Sequence, residues 1–177
     1  MKHLMFIVLL FGFTSIVTFA QDVETLNFPN SYFGIYTGDL IINTNKGVQN
    51  YPMEFHLQPT DSIGMYDYVI VYGKGEQRQE RNYTLKGKEV EKGIYTLDEN
   101  NGILLESKVI ENKIYFLFEV ENSLLTTFIT FNEKDLIFEI IATNTTQKIV
   151  SGGQDEETPE VFSYPINVVQ KAVLIKQ

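Results

Sequence analysis

Hydrophobic and polar residues alternate along most of the chain that follows Gly34. In residues 113–121, Ile114, Phe116 and Phe118 fall on one side of an extended chain, and glutamates fall on the other. This period of two is typical of a β-strand with one face on a core and one face in water. No sustained helical period interrupts it, so the sequence predicts an all-β protein.

Turn signals divide the chain into about ten predicted strands. The Asn101-Gly102 pair is the strongest signal, because both residue types tolerate the positive φ angles of a tight turn. The connections are short, which makes sequential neighbours antiparallel. The predicted strands cover residues 34–44, 48–58, 66–73, 80–88, 91–97, 103–110, 113–121, 124–131, 136–143 and 166–175.

The order of these strands predicts how the sheet closes. The last strand is expected to pair with the first, which closes an antiparallel up-and-down meander into a barrel. A β-sandwich is the alternative, although it usually needs connections that cross between two sheets. Residues 144–163 are polar, acidic and glycine-containing, and we expect them to form a long loop.

The first twenty residues have the pattern of a signal peptide. Lys2 precedes an apolar run, and Thr18 and Ala20 place small residues before a cleavage site at Gln21. We therefore expect residues 1–20 to be removed and residues 21–177 to form a single exported domain with no membrane span. Its expected location is the periplasm or the extracellular medium.

Composition argues against several classes of function. The net charge of −9 disfavours binding to nucleic acid or to anionic membranes. There is no cysteine, and His56 is the only histidine outside the signal peptide, so a nucleophile–base pair or a transition-metal site is poorly supported. We expect no metal, no cofactor and no enzymatic activity; a lyase or isomerase remains an alternative by fold analogy alone.

Two acidic groups could suggest further chemistry. Asp98 and Glu99 are adjacent, but consecutive strand residues point apart, and their position beside the Asn-Gly turn indicates a role in that turn. Residues 155–157 could offer oxygen ligands to calcium, yet they lack the alternating Asp/Asn pattern of known calcium loops. A solvated loop is the expectation there.

The start of the first strand, Gly34-Ile35-Tyr36-Thr37-Gly38, resembles the Gly-x-Trp opening of lipocalin-type (calycin) barrels, with tyrosine in place of tryptophan. Over residues 33–140 the order of segments such as "PMEFHLQP" and "GIYTLDENNGILL" is similar to that of an uncharacterised group of exported bacterial lipocalin-like proteins. This resemblance implies a lipocalin-like barrel and carries no function with it.

The chain has two arginines, and strand phase separates them. Arg81 is in phase with Tyr83 and Leu85, which predicts that it points into the barrel, whereas Arg78 lies in a turn. An inward guanidinium needs an internal carboxylate, a cage of carbonyls or an anionic ligand headgroup. The alternative is an arginine that caps one barrel end or pairs on the surface with Glu80 or Asp67.

The aromatic residues that follow the predicted signal peptide, nine of the 13 Phe and all 10 Tyr, could fill a barrel completely or line a cavity. The leading hypothesis is an exported barrel that binds a small apolar or amphipathic ligand. The alternative is a solid barrel that serves, through its surface, as a component of an envelope or secreted assembly; no protein partner is specified. The predicted ligand-binding residues are Arg81, Tyr83, Phe55, Tyr68, Phe116 and Phe118.

Overall fold

The computed structural model describes residues 27–177. The predicted signal peptide and the cleavage site at Gln21 lie outside the described residues. The prediction of one domain over residues 21–177 therefore stays a prediction.

Ten strands form a closed antiparallel barrel, as the sequence predicts. The barrel strands are β1 Gly34–Thr44, β2 Gly47–Pro59, β3 Met65–Tyr72, β4 Gln79–Glu89, β5 Ile94–Asp98, β6 Leu104–Ile110, β7 Lys113–Val120, β8 Ser123–Phe131, β9 Asp135–Asn144 and β12 Val168–Lys176. Around the barrel their order is β1-β12-β9-β8-β7-β6-β5-β4-β3-β2, so the meander follows the sequence and the last strand closes it against the first. The sandwich alternative is wrong.

The expected long loop at residues 144–163 carries more structure than its composition indicated. Ile149–Ser151 (β10) and Val161–Ser163 (β11) pair as a small antiparallel ribbon outside the barrel. The Asp155 carboxylate accepts hydrogen bonds from the backbone N–H groups of Glu157 and Thr158, which shapes the turn between them. The expected loop is therefore interrupted by two three-residue strands, which pair on either side of a turn that contains the acidic residues.

Strand β5 is shorter than predicted. Residues Val90–Lys92 form a 3-10 turn, and Gly93 adopts a positive φ of 68° before the strand begins. A side chain at Gly93 would collide with the Val109 backbone, with its Cβ 2.2 Å from the carbonyl oxygen. The strand predicted from residue 91 therefore begins only at Ile94, because the 3-10 turn and this close approach come first.

The closed end of the barrel holds a dense aromatic plug. Phe28, from the segment that precedes β1, packs edge-on against Tyr95 with ring centroids 5.3 Å apart, and it lies 5.5 Å from the Phe131 ring. Tyr32, in the 3-10 turn Asn30–Tyr32, lies 5.3 Å from Phe131. Tyr36 is fully buried, and its hydroxyl donates a 2.7 Å hydrogen bond to the Tyr32 carbonyl. The N-terminal segment of the described chain thus covers and closes this end.

The seam between β1 and β12 requires a residue without a side chain. A Cβ at Gly38 would lie 2.6 Å from the carbonyl oxygen of Val173 and 3.1 Å from the Leu174 side chain. The second glycine of the Gly34-x-Tyr36-x-Gly38 segment is therefore explained by close approach of the two strands that close the barrel.

The opposite end is open, and its wall is weakest between β6 and β7. The ladder between these strands runs only from Ser107–Phe116 to Ile110–Lys113. Residues 104–106 and 117–120 continue toward the open end without pairing to each other, although each pairs with its other neighbour. Leu104 and Leu117 flank this gap and are largely exposed.

The only helical elements among the described residues are four single 3-10 turns. None of the helices found in residues 27–177 is long and apolar enough to cross a membrane.

Candidate functional site

The open half of the barrel forms a cup with two connected levels. An inner chamber of about 160 Å³ lies within the barrel, and a wider mouth of about 850 Å³ lies at its rim. Tyr72 and Arg81 line both levels, so the two spaces meet at these side chains. The inner wall is predominantly apolar and aromatic, and its lining residues include Tyr68, Ile70, Tyr83, Leu97, Leu105, Phe116, Phe118, Phe138 and Ile140.

The inward phase predicted for Arg81 agrees with its position in β4. Leu85 is buried in the core, Tyr83 is half-buried in the chamber wall, and Arg81 stands above them at the rim. The backbone of β4 pairs with β3 there, with Arg81 opposite Ile70. Arg81 is nevertheless solvent-exposed, so its guanidinium avoids the full cost of desolvation that an enclosed charge would carry.

No carboxylate of the described residues pairs with this guanidinium. Among residues 27–177, no Asp or Glu oxygen forms an ion pair with Arg81, whereas five other Lys or Arg side chains of the same region pair with carboxylates. Arg81 therefore lies at the cup without a carboxylate partner among these residues. Burial raises the pKa of the neighbouring Tyr83, and the charge and hydrogen bonding of Arg81 oppose that rise.

Arg78 behaves differently. It follows the 3-10 turn Gly75–Gln77 and forms an exposed ion pair with Glu80. Hydrogen bonding by Arg78 and Asn82 lowers the pKa of the Glu80 carboxyl. The predicted role as a charge of the turn agrees with this position, and the surface partner that had been considered for Arg81 belongs to Arg78 instead.

Four predicted aromatic residues line the inner chamber, and the fifth lies deeper. Tyr68 and Phe116 are buried, with ring centroids 6.4 Å apart, and the Tyr83 ring lies 6.2 Å from that of Tyr68. Phe118 is half-buried nearer the rim. Phe55 does not line the chamber; it packs edge-on against Tyr68 at 4.8 Å and supports it from the core side.

The tyrosine hydroxyls around Arg81 remain neutral well into the alkaline range. Burial raises the pKa of Tyr68 well above its usual value, and the neighbouring Tyr72 and Tyr83 raise it further. The pKa of Tyr72 is raised to about 12 by burial and by Tyr83, against a lowering by the charge of Arg81. Burial and the charge of Glu99 raise the pKa of Tyr83, while Arg81 lowers it. At neutral pH these groups are hydrogen-bond donors.

Two of these hydroxyls have no hydrogen-bond partner within residues 27–177. In the closed half, the Tyr36 and Tyr95 hydroxyls donate to backbone carbonyls of Tyr32 and Phe28. The hydroxyls of Tyr68 and Tyr72 have no such partner among the described residues, and they are not among the enclosed polar atoms. They are therefore open to water or to a guest in the cup.

Glu99 is the charged residue that sequence reasoning missed. The prediction of a turn role for Asp98 and Glu99 agrees with their hydrogen bonds: the Asp98 carboxylate accepts from the Asn100 N–H, and the Glu99 carboxylate accepts from the Asn101 side-chain amide at 3.2 Å. Asp98 also bonds Lys86 at 2.7 Å, whereas Glu99 lines the inner chamber with Arg81, which the turn role did not predict. The signal was present in the alternation, since Tyr95, Leu97 and Glu99 share one face of β5 and its continuation.

The remaining candidate residues lie away from the cup. His56 sits on the outer face of β2, where it is hydrogen-bonded to Glu54 at 2.9 Å, as expected from its phase opposite Phe55 and Leu57. Residues 155–157 lie in the exposed turn of the outer ribbon. Within residues 27–177, no cluster of three or more metal-ligating side chains is found.

A second space opens on the outer wall at the β6–β7 gap. This groove, of about 470 Å³, is lined by Tyr115, Leu117 and Phe128 from the outer face and also by Ser107 and Phe116. Phe116 thus separates the groove from the inner chamber at the last paired position of the ladder.

Comparison with known proteins adds information about the fold. No family model matches the chain, and no curated protein matches it. Among solved structures, it is similar to a protein of unknown function from the DUF3598 family of Nostoc punctiforme, with a TM-score of 0.58 and 10% sequence identity. The match covers 84% of this chain and 48% of that one, so this chain spans about half the length of its structural neighbour. The likeness therefore concerns the barrel alone.

Proposed function

We propose that this protein is an exported β-barrel that binds a small amphipathic ligand in the open half of the barrel. The observation that carries the proposal is the position of Arg81. Its guanidinium stands unpaired over an aromatic chamber instead of pairing with a carboxylate of the described chain. The arrangement offers apolar surface to a ligand body and charged donors to its headgroup.

The volumes of the chamber and the mouth limit which part of a ligand each can hold. Pockets that enclose drug-sized ligands measure about 300–1,000 Å³. The inner chamber, at about 160 Å³, is smaller than that, while the mouth, at about 850 Å³, falls in this range. A ligand would therefore place a small apolar group inside, between Tyr68, Tyr83 and Phe116, and keep its polar part at the rim beside Arg81.

The two arginines provide a matched test. Sodium hexanoate and 3-phenylpropionate would be titrated into the protein by calorimetry, and the thermal midpoint would be followed at each concentration. We expect Arg81→Gln to weaken binding about tenfold to a hundredfold, because a charge-assisted hydrogen bond to the carboxylate is lost. Arg78→Gln should leave binding unchanged, since its guanidinium pairs with Glu80 outside the cup.

The alternative predicts a different result. If neither carboxylate, nor a longer amphiphile such as octanoate, nor a small amphiphile whose headgroup carries both charges binds, and solvent extraction of the purified protein releases no small molecule, the proposal is wrong. A barrel that works through its outer surface, as part of an envelope or secreted assembly, would then be the better description.

A further inference from the structure

Arg81 is not the only charged group at the inner chamber, and the second charge has the opposite sign. Glu99 lines the same chamber and is half-buried. Within the described residues, its carboxylate forms no ion pair with any Lys or Arg; it accepts one 3.2 Å hydrogen bond from the Asn101 side chain. The chamber thus has one cation and one anion at its polar end that are not bonded to each other.

The β4–β5 register explains how the two charges come to face one site. Thr84 pairs with Asp98, which places Tyr83 beside Glu99 on the inner face as the strands separate toward the rim. Arg81 lies two residues further along β4 on the same face. Both side chains line the same small chamber, so one small headgroup placed there can contact both.

We propose that the ligand headgroup is zwitterionic, and that the cup takes a free α-amino acid with a large apolar side chain. The carboxylate would pair with Arg81 and the ammonium with Glu99, while the side chain enters the inner chamber. This inference rests on the proposed function and specifies the ligand class for the same site.

Electrostatics favour a zwitterion over a simple anion. A carboxylate with no positive charge would bind Arg81 but would also lie near Glu99, and like charges at such distances repel. The chain as a whole carries a net charge of −9, which disfavours the approach of anions and leaves a neutral zwitterion unaffected. Hydrogen bonds from the Tyr68 and Tyr72 hydroxyls are available to the carboxylate as well.

The inner chamber sets the size of the side chain. Its volume of about 160 Å³ is close to that of an engineered apolar cavity, about 150 Å³, that binds benzene. Its walls include Ile70, Leu97, Phe116 and Phe138. A phenyl ring or a branched aliphatic group fits this space, whereas a long acyl chain would extend past it.

Three probes that share one phenyl group test the headgroup. L-Phenylalanine carries both charges, 3-phenylpropionate lacks the ammonium group, and 2-phenylethylamine lacks the carboxylate. Calorimetric titration should show L-phenylalanine binding about tenfold more tightly than either relative, because each relative leaves one protein charge without a partner.

Glu99→Gln tests whether Glu99 pairs with the ammonium group of the ligand. It should remove the advantage of L-phenylalanine over 3-phenylpropionate and strengthen the binding of 3-phenylpropionate, because the repulsive carboxylate is gone. Asp98→Asn is the matched control, since its carboxylate faces Lys86 outside the cup, and it should leave the ratio unchanged. The thermal midpoint of each variant verifies that it folds.

The failure of this inference can be told apart from failure of the proposed function. If 3-phenylpropionate binds wild-type protein as tightly as L-phenylalanine does, and Arg81→Gln weakens it, the headgroup is an anion and only the zwitterion inference is overturned. The same holds if octanoate binds and all three phenyl probes do not. If none of these compounds binds, both are overturned.

Discussion

The closed and open halves of the barrel are built from the same ten strands, yet the tyrosine hydroxyls in their interiors differ in their hydrogen-bond partners. In the closed half, Tyr36 and Tyr95 donate their hydroxyl hydrogens to carbonyls of the segment that stoppers the barrel. In the open half, Tyr68 and Tyr72 line a chamber next to Arg81, which has no carboxylate partner within residues 27–177. The first arrangement completes a core in which, among the described residues, only the Tyr32 hydroxyl lacks a partner, and the second leaves hydroxyls open to the cup.

The difference follows from which chain segments reach each end. The segment before β1 returns across the closed end and inserts Phe28 and Tyr32 among Tyr95 and Phe131. At the open end, the ribbon of β10 and β11 pairs only with itself, and its residues are exposed. Stability is therefore expected to depend on the closed half and binding on the open half.

A pair of Phe→Ala variants should give the largest contrast between the halves. Phe131→Ala removes a buried ring that contacts Phe28, Tyr32 and Phe55, and it should lower the free energy of unfolding by about 3–5 kcal/mol. Phe118→Ala, at the half-buried rim, should cost about 1 kcal/mol. Urea denaturation measures both, and equal costs would contradict the division into a core half and a cup.

Alkaline pH should destabilise the closed half. Burial, with a smaller contribution from a neighbouring tyrosine, raises the pKa of both Tyr36 and Tyr95 to about 12, from an ordinary value of 10.0 that applies when the chain is unfolded. Between these values the folded protein holds more protons than the unfolded chain, so stability falls as the pH rises. It should be fully present below pH 10 and decrease by a few kcal/mol on approach to pH 12.

Urea denaturation at several pH values between 9 and 12 would measure this slope. Tyr36→Phe removes one of the tyrosines whose pKa is raised by burial, a group that also includes Tyr68, Tyr72 and Tyr83 in the open half, and its stability should fall less steeply over the same interval. A stability that stays constant from pH 10 to 12 would show that these hydroxyls ionise as easily in the folded protein as in the unfolded chain.

The smallest effect concerns two neighbouring hydroxyls in the plug. The buried Tyr32 hydroxyl has no hydrogen-bond partner among residues 27–177, so Tyr32→Phe should stabilise the protein by about 1 kcal/mol. Tyr36→Phe should destabilise it by about the same amount at neutral pH, because the Tyr32 carbonyl loses its donor. Thermal unfolding of the two variants should show midpoints that move in opposite directions; a loss of stability in Tyr32→Phe would contradict the assignment.

The barrel was predictable because its signals are local. Period-two alternation identified β7 and β2, and the short connections determined that neighbours are antiparallel. The Asn101-Gly102 turn was located correctly, although the two residues with positive φ are Asn100 and Gly102 rather than Asn101 and Gly102. The short ribbon within residues 144–163 was missed because three-residue strands give too few alternating positions to stand out from a polar loop.

The candidate site was only partly predictable. The phase of β4 was enough to direct Arg81 inward, since the side-chain period of a strand is two. The same period of two, counted from the inward Leu97, predicts that Glu99 points inward as well. Glu99 was instead explained by its place next to the turn. Phe55 was placed correctly on the inner face, yet how deep a residue sits along the barrel depends on the register between strands, which alternation does not contain.

The sequence alone determined the ten barrel strands, their antiparallel order and the inner or outer side of the residues that alternate clearly along them, because these follow from periodicity and short connections along the chain. Only the tertiary structure decided that one end is stoppered by Phe28 and Tyr32 and that the other remains open. Those outcomes depend on contacts between residues far apart in sequence. The meeting of Arg81 and Glu99 at one chamber depends in the same way on the register between strands, which fixes the height of each inward residue along the barrel.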